Sequence, residues 1–201
     1  MIVWAWRCRH SRGFGVQSPW AYSFIRYVVN EHYPYYAYKQ LESKVKAVSG
    51  PERRLCQLYF RMANYLQPRS VVDFGSPFEP FRAYVSAGCR MAEVMRGPTR
   101  GGASAAFSCP ATIDMARFTP EACCADLYRR ALAHAGPASM FVVEGIHSSL
   151  MGAGCWAAIQ RDGRTAVTFD LYYCGIVCFD KKRYRQNYIV NFLKHYGHEV
   201  E

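Results

Sequence analysis

The spacing of apolar residues changes near residue 70. Before it, they recur every three or four positions; after it, they cluster in short runs separated by helix-like stretches. Over 18–32, Trp20, Phe24, Ile25, Val28 and Val29 share one helical face. Ser18 offers an N-cap hydroxyl, and Pro19 suits the first helical position because the N–H it lacks would have no partner there. The pattern predicts an amphipathic helix. A more polar helix is predicted over 38–48, broken at Gly50-Pro51. A third, over 51–66, puts Leu55, Leu58, Tyr59, Met62 and Leu66 on one side and turns Arg53, Arg54 and Arg61 toward solvent.

Beyond residue 70 the strand candidates are "SVVDFG", "RMAEVM" (90–95), "ATIDMARF" (111–118) and "SMFVVEG" (139–145). The closing runs "RTAVTFDLYY" and "CGIVCFDKK" read as two strands around a tight turn, with Gly175 in or beside the second. Between them, "TPEACCADLYRRALAHAG" predicts a helix capped by Thr119, begun by Pro120 and stopped by Gly136, and another helix is predicted over 150–160. "RGPTRGGASAAF" (96–107) reads as a surface loop, and "NYIVNFL" fits a strand or a helix. Strands alternating with helices predict an α/β fold. Its sheet is mostly parallel with an antiparallel C-terminal edge pair, and a helical segment precedes it. The expected division is 1–69, basic, helical and tyrosine-rich, and 70–201, a reduced α/β domain.

A chain of 201 residues suits one domain and can bury a sizeable core. No apolar run reaches the roughly 20 residues of a membrane span. The opening "MIVWAWRCRH" has only about six apolar residues, short of a signal-peptide core. The expectation is a soluble, cytoplasmic protein with no membrane partner. Nine cysteines without a C-x-x-C fit reduced thiols better than a disulfide framework or a metal site, and Cys174 and Cys178 read as small buried hydrophobes. The net charge is +10, and residues 1–69 carry eleven Lys/Arg against three Asp/Glu. Such a front end attracts an acidic partner or RNA, or is a solvated helical face. Tyr33, Tyr35, Tyr36 and Tyr38 around Pro34 suit a packed aromatic cap or a base-stacking platform. Self-association is left open.

Several blocks then occur in a telling order: "GFGVQSPWAYSFI" with "YYAY", a strand ending "DFG", "FVVEGIH", and "VTFDLYYCGIVCF" followed by "QNYIVNF". They resemble a Bacteroidetes family of class I S-adenosylmethionine-dependent methyltransferase-like proteins, nearest to O-methyltransferase-like members. The resemblance covers roughly residues 10–40, 68–76 and 111–192. It implies a Rossmann-like methyltransferase sheet with S-adenosylmethionine over the carboxyl ends of the strands, where ligands of open α/β sheets bind generally. Asp73, Gly75 and Ser76 then become the cofactor residues of the first strand and turn, with Glu93 on the second as the alternative ribose acceptor to the position that Arg96 occupies.

The match is incomplete at several points. Glu79, between Pro77 and Pro80, stands where the family has a second glycine, a position that needs bare backbone close to the cofactor. Arg96, a donor, stands where an acceptor for the ribose hydroxyls is expected. The stretch from there to "ATIDMARF" is short by a helix and a strand. The tetrad Asp-Gly-Asn-His is missing after that strand, although Asp114 lies earlier in it, and Gly145 replaces an acid before Ile146-His147. His147 and Glu144 remain as candidate catalytic groups. Three readings follow: a methyltransferase-like protein with a degenerate site and little or no catalysis, an active O-methyltransferase on a small molecule or RNA, and a basic nucleic-acid-binding module.

Overall fold

The computed structural model describes residues 7, 15–31, 33–44, 50–98, 107–122 and 125–192. Helix α1 (Pro19–Phe24) is capped by Ser18, whose hydroxyl accepts from the Ala21 amide at 3.3 Å. It runs on as one π-helical turn over Ile25–Val29. Then follow α2 (Tyr36–Lys44), α3 (Gly50–Leu66), β1 (Ser70–Phe74), α4 (Glu79–Gly88) and β2 (Glu93–Arg96). The remainder is β3 (Ile113–Phe118), α5 (Ala125–Leu132), β4 (Ala135–Glu144), α6 (Leu150–Arg161), β5 (Val167–Asp170), β6 (Cys174–Cys178) and β7 (Gln186–Ile189).

The seven strands form one sheet in the order β2-β1-β3-β4-β6-β5-β7. Strands β2, β1, β3 and β4 are parallel neighbours; β6 runs antiparallel to β4 and β5, and β7 is parallel to β5. This is a mostly parallel, Rossmann-like α/β sheet with an antiparallel pair on its C-terminal side, as the alternating pattern predicts. The first residues of the "NYIVNFL" stretch, 187–189, form the end of strand β7, which lies outside the hairpin, and residue 193 lies outside the described residues. Among the described residues between Arg96 and Ile113 there is no strand, so β2 ends the sheet on that side.

Period-two alternation sorts the strands onto two faces. Val71, Met115, Val142 and Ile176 pack under α1, α3 and α4, together with Phe24, Tyr59, Met62 and Phe81. Val72, Ala116, Phe118, Phe141, Val143 and Val177 pack under α5 and α6, against Leu127, Ala131, Trp156 and Ile159. Gly175 lies within β6 because the Trp156 ring presses on it; a Cβ there would sit 2.3 Å from the indole. Helices α1 and α3 thus share one apolar core with the sheet, while Tyr38 and Leu41 of α2 pack in a smaller cluster with Cys56, Phe60 and Tyr84.

Some local expectations fail. Arg61 does not face solvent: it is buried, donating from Nε to Val28 O at 2.6 Å and from Nη2 to Val29 O at 3.1 Å. Those carbonyls end the π-helical turn and have lost their in-helix partners, so a guanidinium from α3 supplies the donors. Gly136 does not stop a helix; α5 ends at Leu132 and Gly136 already lies in β4. Residues 120–122 form a turn rather than the first helical turn, and 123–124 lie outside the described residues, as do 99–106 of the predicted loop. The tyrosine cluster divides: Tyr35 and Tyr38 pack on Phe60, while Tyr33 and Tyr36 are exposed.

Burial raises the thiols of Cys56 and Cys178 to about 12, and Cys174 is pushed well above its ordinary value by burial and Glu144. A raised folded-state value means stability that is intact below the unfolded thiol's value and lost as pH climbs toward 12. Stability to urea should therefore hold from neutral pH to about 9 and then decline, and Cys178→Val should flatten that decline. Arg61→Met should lower unfolding free energy by about 1.5–3 kcal/mol by stranding the Val28 and Val29 carbonyls, as read from urea melts.

Candidate functional site

The chain runs from β1 outward to β2 and then returns to the other side of β1 at β3. The topological switch point, where open α/β sheets hold their ligands, therefore lies between β1 and β3. Asp73 and Arg117 are direct register partners there, and Asp73, Arg117 and Glu144 all point to the α3/α4 face.

Arg117 is the centre of the site. Its Nη1 lies 2.7 Å from Asp73 Oδ1 and donates to Ser76 O at 3.3 Å. Its Nε and Nη2 grip Glu144 Oε1 and Oε2 at 2.8 and 3.1 Å, the two-point geometry that suits a planar guanidinium. The Tyr59 hydroxyl, from α3, donates to Glu144 Oε1. The Phe78 and Phe81 rings lie 5.1 and 5.6 Å from the guanidinium carbon and exclude water. Burial works against the Arg117 charge, but Glu144, Tyr59 and Asp73 outweigh it, so its pKa is raised and it stays protonated. Burial pushes the Asp73 carboxyl up, with Arg117 pulling it partly back.

The turn after β1 is closed as well. Gly75 has φ +141°, and a Cβ there would lie 2.2 Å from Thr119 Oγ1, so its bare backbone serves contact with the loop after β3. The Thr119 amide donates to Phe74 O at 3.1 Å, carrying the β1/β3 ladder one residue past β3. Glu79 does not intrude: it is exposed in the first turn of α4, where a carboxylate suits the positive end of the helix. Ser76 is exposed and contributes its carbonyl.

The other predicted residues are scattered. Glu93 pairs in register with Ser70, at the amino end of β1, three residues from the Arg96–Asp73 level. At about 3.3 Å per residue it stands roughly 10 Å from the strand ends. Asp114 is at that same far end, accepting from the Arg69 and Ser70 amides. Arg96 does reach the carboxyl end, exposed beside Asp73. Gly145, with φ +63°, sits where a Cβ would meet Pro120 Cγ at 2.4 Å, a position hostile to the acid that the family pattern has there.

A second cluster occupies the ends of β4 and β5. His147 Nε2 lies 2.7 Å from Asp170 Oδ2, with about a third of the histidine side chain exposed. Asp170 Oδ1 takes Arg7 Nη2 at 2.7 Å and the Tyr172 amide at 2.9 Å. The Tyr172 ring stacks on His147 and under Arg7. Tyr172 adopts φ +73°, a strained conformation for a non-glycine residue that fixes the turn. Sequence reasoning found His147 and Glu144 but missed Arg117, Asp170, Tyr59 and Arg7. The available signal was an arginine inside the apolar run "MARF" and acids ending three strands: a buried cation requires a carboxylate partner.

Among the described residues, no group of three His, Cys, Asp or Glu is placed to hold a metal ion, and no helix is long and apolar enough to cross a membrane. A cleft of about 150 Å³ between α5 and α6, lined by Tyr128, Leu132, Cys155 and Ile159, is smaller than the roughly 300–1,000 Å³ of typical ligand pockets.

The strand order and switch point define the class, a Rossmann-like α/β protein. Solved structures with a similar chain path include cofactor-bound Rv0187 from MTB, at 13% identity over 72% of this chain and 86% of that one, with a TM-score of 0.48. Another is the O-methyltransferase TomG from Streptomyces achromogenes, involved in tomaymycin synthesis and in complex with SAM, at 12% identity over 73% and 90% and a TM-score of 0.47. No protein-family model matches the chain, and no curated protein matches it.

Arg117→Met should cost about 3–5 kcal/mol of stability, because Asp73 and Glu144 are left buried without their cation. Asp73→Asn keeps an acceptor for Nη1 and removes a penalised charge, so it should cost far less; urea denaturation of both variants measures the contrast.

Proposed function

We propose that this chain is a methyltransferase-like protein whose cofactor crevice is closed by its own side chains, and that it acts by binding rather than by methyl transfer. One observation carries the reading: Arg117 bridges Asp73 and Glu144 across the switch point. Asp73 is the carboxylate that the family resemblance assigns to S-adenosylmethionine. Here its Oδ1 is engaged by a guanidinium, and Phe78 and Phe81 cover that guanidinium. The turn that would cradle the methionine end is pressed onto Thr119. Glu93, the proposed ribose acceptor, lies at the wrong end of its strand. The residues present do not fit the cofactor.

A second reading, an active O-methyltransferase, is favoured by the His147–Asp170 pair. A partly exposed imidazole held at Nε2 by a buried carboxylate is oriented as a general base would be, with Nδ1 left for a substrate proton. On that reading Glu144 is a positioning residue committed to Arg117.

Titration calorimetry with S-adenosylmethionine and S-adenosylhomocysteine decides between them. The closed-crevice reading expects no heat of binding from either compound. Micromolar binding that Asp73→Asn abolishes would overturn it; in that case His147→Asn should lower kcat by about 10²–10⁴-fold with KM little changed.

A further inference from the structure

The opposite end of the sheet carries a surface that the strand-end clusters do not use. After β6 the chain turns through Asp180–Arg185 beside the C-terminus of α6, at the amino ends of the parallel strands. Six cations gather there: Arg161, Arg164, Lys181, Lys182, Arg183 and Arg185. The two nearby acids are already matched, Asp162 by Arg164 at 2.8 Å and Asp180 by Arg183 at 3.1 Å. Six positive charges against two negative leave a local excess of four.

The turn is anchored. Arg185 donates to Gln160 O at 2.6 Å and Asp162 O at 3.2 Å, and Lys181 donates to Gly163 O. These bonds satisfy carbonyls near the end of α6 and cancel no full charge. The Arg183 guanidinium stacks 3.8 Å over Trp20, whose indole N–H donates to Tyr65 Oη at 3.0 Å. Within this fixed basic turn, Tyr184 is 94% exposed, and Gln186 and Asn187 follow it, exposed, on the outermost strand.

Solubility alone accounts for the lysines, but not for a large aromatic ring held in solvent between Arg183 and Arg185. We propose that this edge binds single-stranded nucleic acid, with phosphates on the Lys/Arg groups and an unstacked base on the Tyr184 ring. That combination of cationic track and stacking platform is what single strands require. A duplex hides its base faces, and this surface offers turns and no helix to enter a groove. An anionic membrane or an acidic peptide would use the charge and leave the ring idle. The surface is remote from the β1/β3 crevice, so cofactor binding and nucleic-acid binding succeed or fail separately.

The test is fluorescence anisotropy of the full chain with a labelled mixed-sequence single-stranded RNA, the same sequence as DNA, and the corresponding duplexes, with phosphatidylserine vesicles as competitor. Affinity should fall with salt, with a log–log slope of about −0.7 per phosphate contacted. Tyr184→Ala should weaken single-strand binding roughly five- to a hundredfold while Tyr184→Phe retains it, and Lys182→Glu should weaken it and flatten the salt slope. Both side chains are exposed, and circular dichroism melts confirm that the variants remain folded. Any of four results overturns the proposal: no binding at low salt, binding indifferent to Tyr184→Ala and Lys182→Glu, duplex bound as tightly as single strand, or vesicles that displace RNA while binding equally well to the Tyr184→Ala variant.

Discussion

The structure turns on one buried guanidinium. Arg117 sits in an inner strand of the parallel set, between β1 and β4, four per cent exposed, with apolar neighbours Ala116 and Phe118 on the same strand. A cation in such a place is untenable unless its donors are met and its charge is matched. Asp73 from β1 and Glu144 from β4 do both, and Tyr59 from α3 adds a donor to Glu144. Three adjacent strands and one helix are therefore held in mutual register by a group that tolerates no slippage. A one-residue shift of β3 would point Arg117 into the opposite apolar face. Hydrophobic residues of similar size could match the stability of this arrangement, but not its demand for one particular alignment.

The loops around this cluster are close as well. The β1/β3 ladder runs one residue past β3, where the Thr119 amide reaches Phe74 O, and the turn after β1 lies against the Thr119 side chain. Gly75 is then required by contact with Thr119, and Gly145 by contact with Pro120. Glycines in these turns look in sequence like provision for a ligand's close approach. In this fold the approaching atoms belong to the chain itself. The same type of residue satisfies both demands, because each needs a backbone without a Cβ.

This explains what could be read from the sequence and what could not. The alternation of strands and helices was legible because each strand's two faces are buried by different helices, and the parity of Val71/Val72 or Ile176/Val177 carries that directly. The Ser18-Pro19 start was legible because capping is local. Arg61 was misjudged because helical periodicity cannot reveal that a neighbouring π-helical turn leaves carbonyls in need of a donor. Gly136 was misjudged because a helix-stop glycine and a strand glycine share the same code, and pairing with β3 decided the matter. Asp73, Glu144 and His147 were recognised as chemically loaded, but their partners lie 44, 27 and 23 residues away along the chain, and only the sheet order brings them together.

The two ends of the sheet differ in what they do with charge. At the carboxyl ends, Arg117 and Arg7 are buried, and each is neutralised by carboxylates. A group so fully engaged has little left for a ligand, since binding one would first require breaking contacts worth several kcal/mol. At the amino ends of β5 and β7, the cations are exposed apart from the half-buried Arg183, and those that are anchored mostly hold backbone carbonyls. They lose nothing when a phosphate arrives, because a carbonyl satisfies a donor without neutralising it. Charge that is positioned but not cancelled is the condition for electrostatic recognition, and in this sheet it exists at the end opposite the β1/β3 crevice.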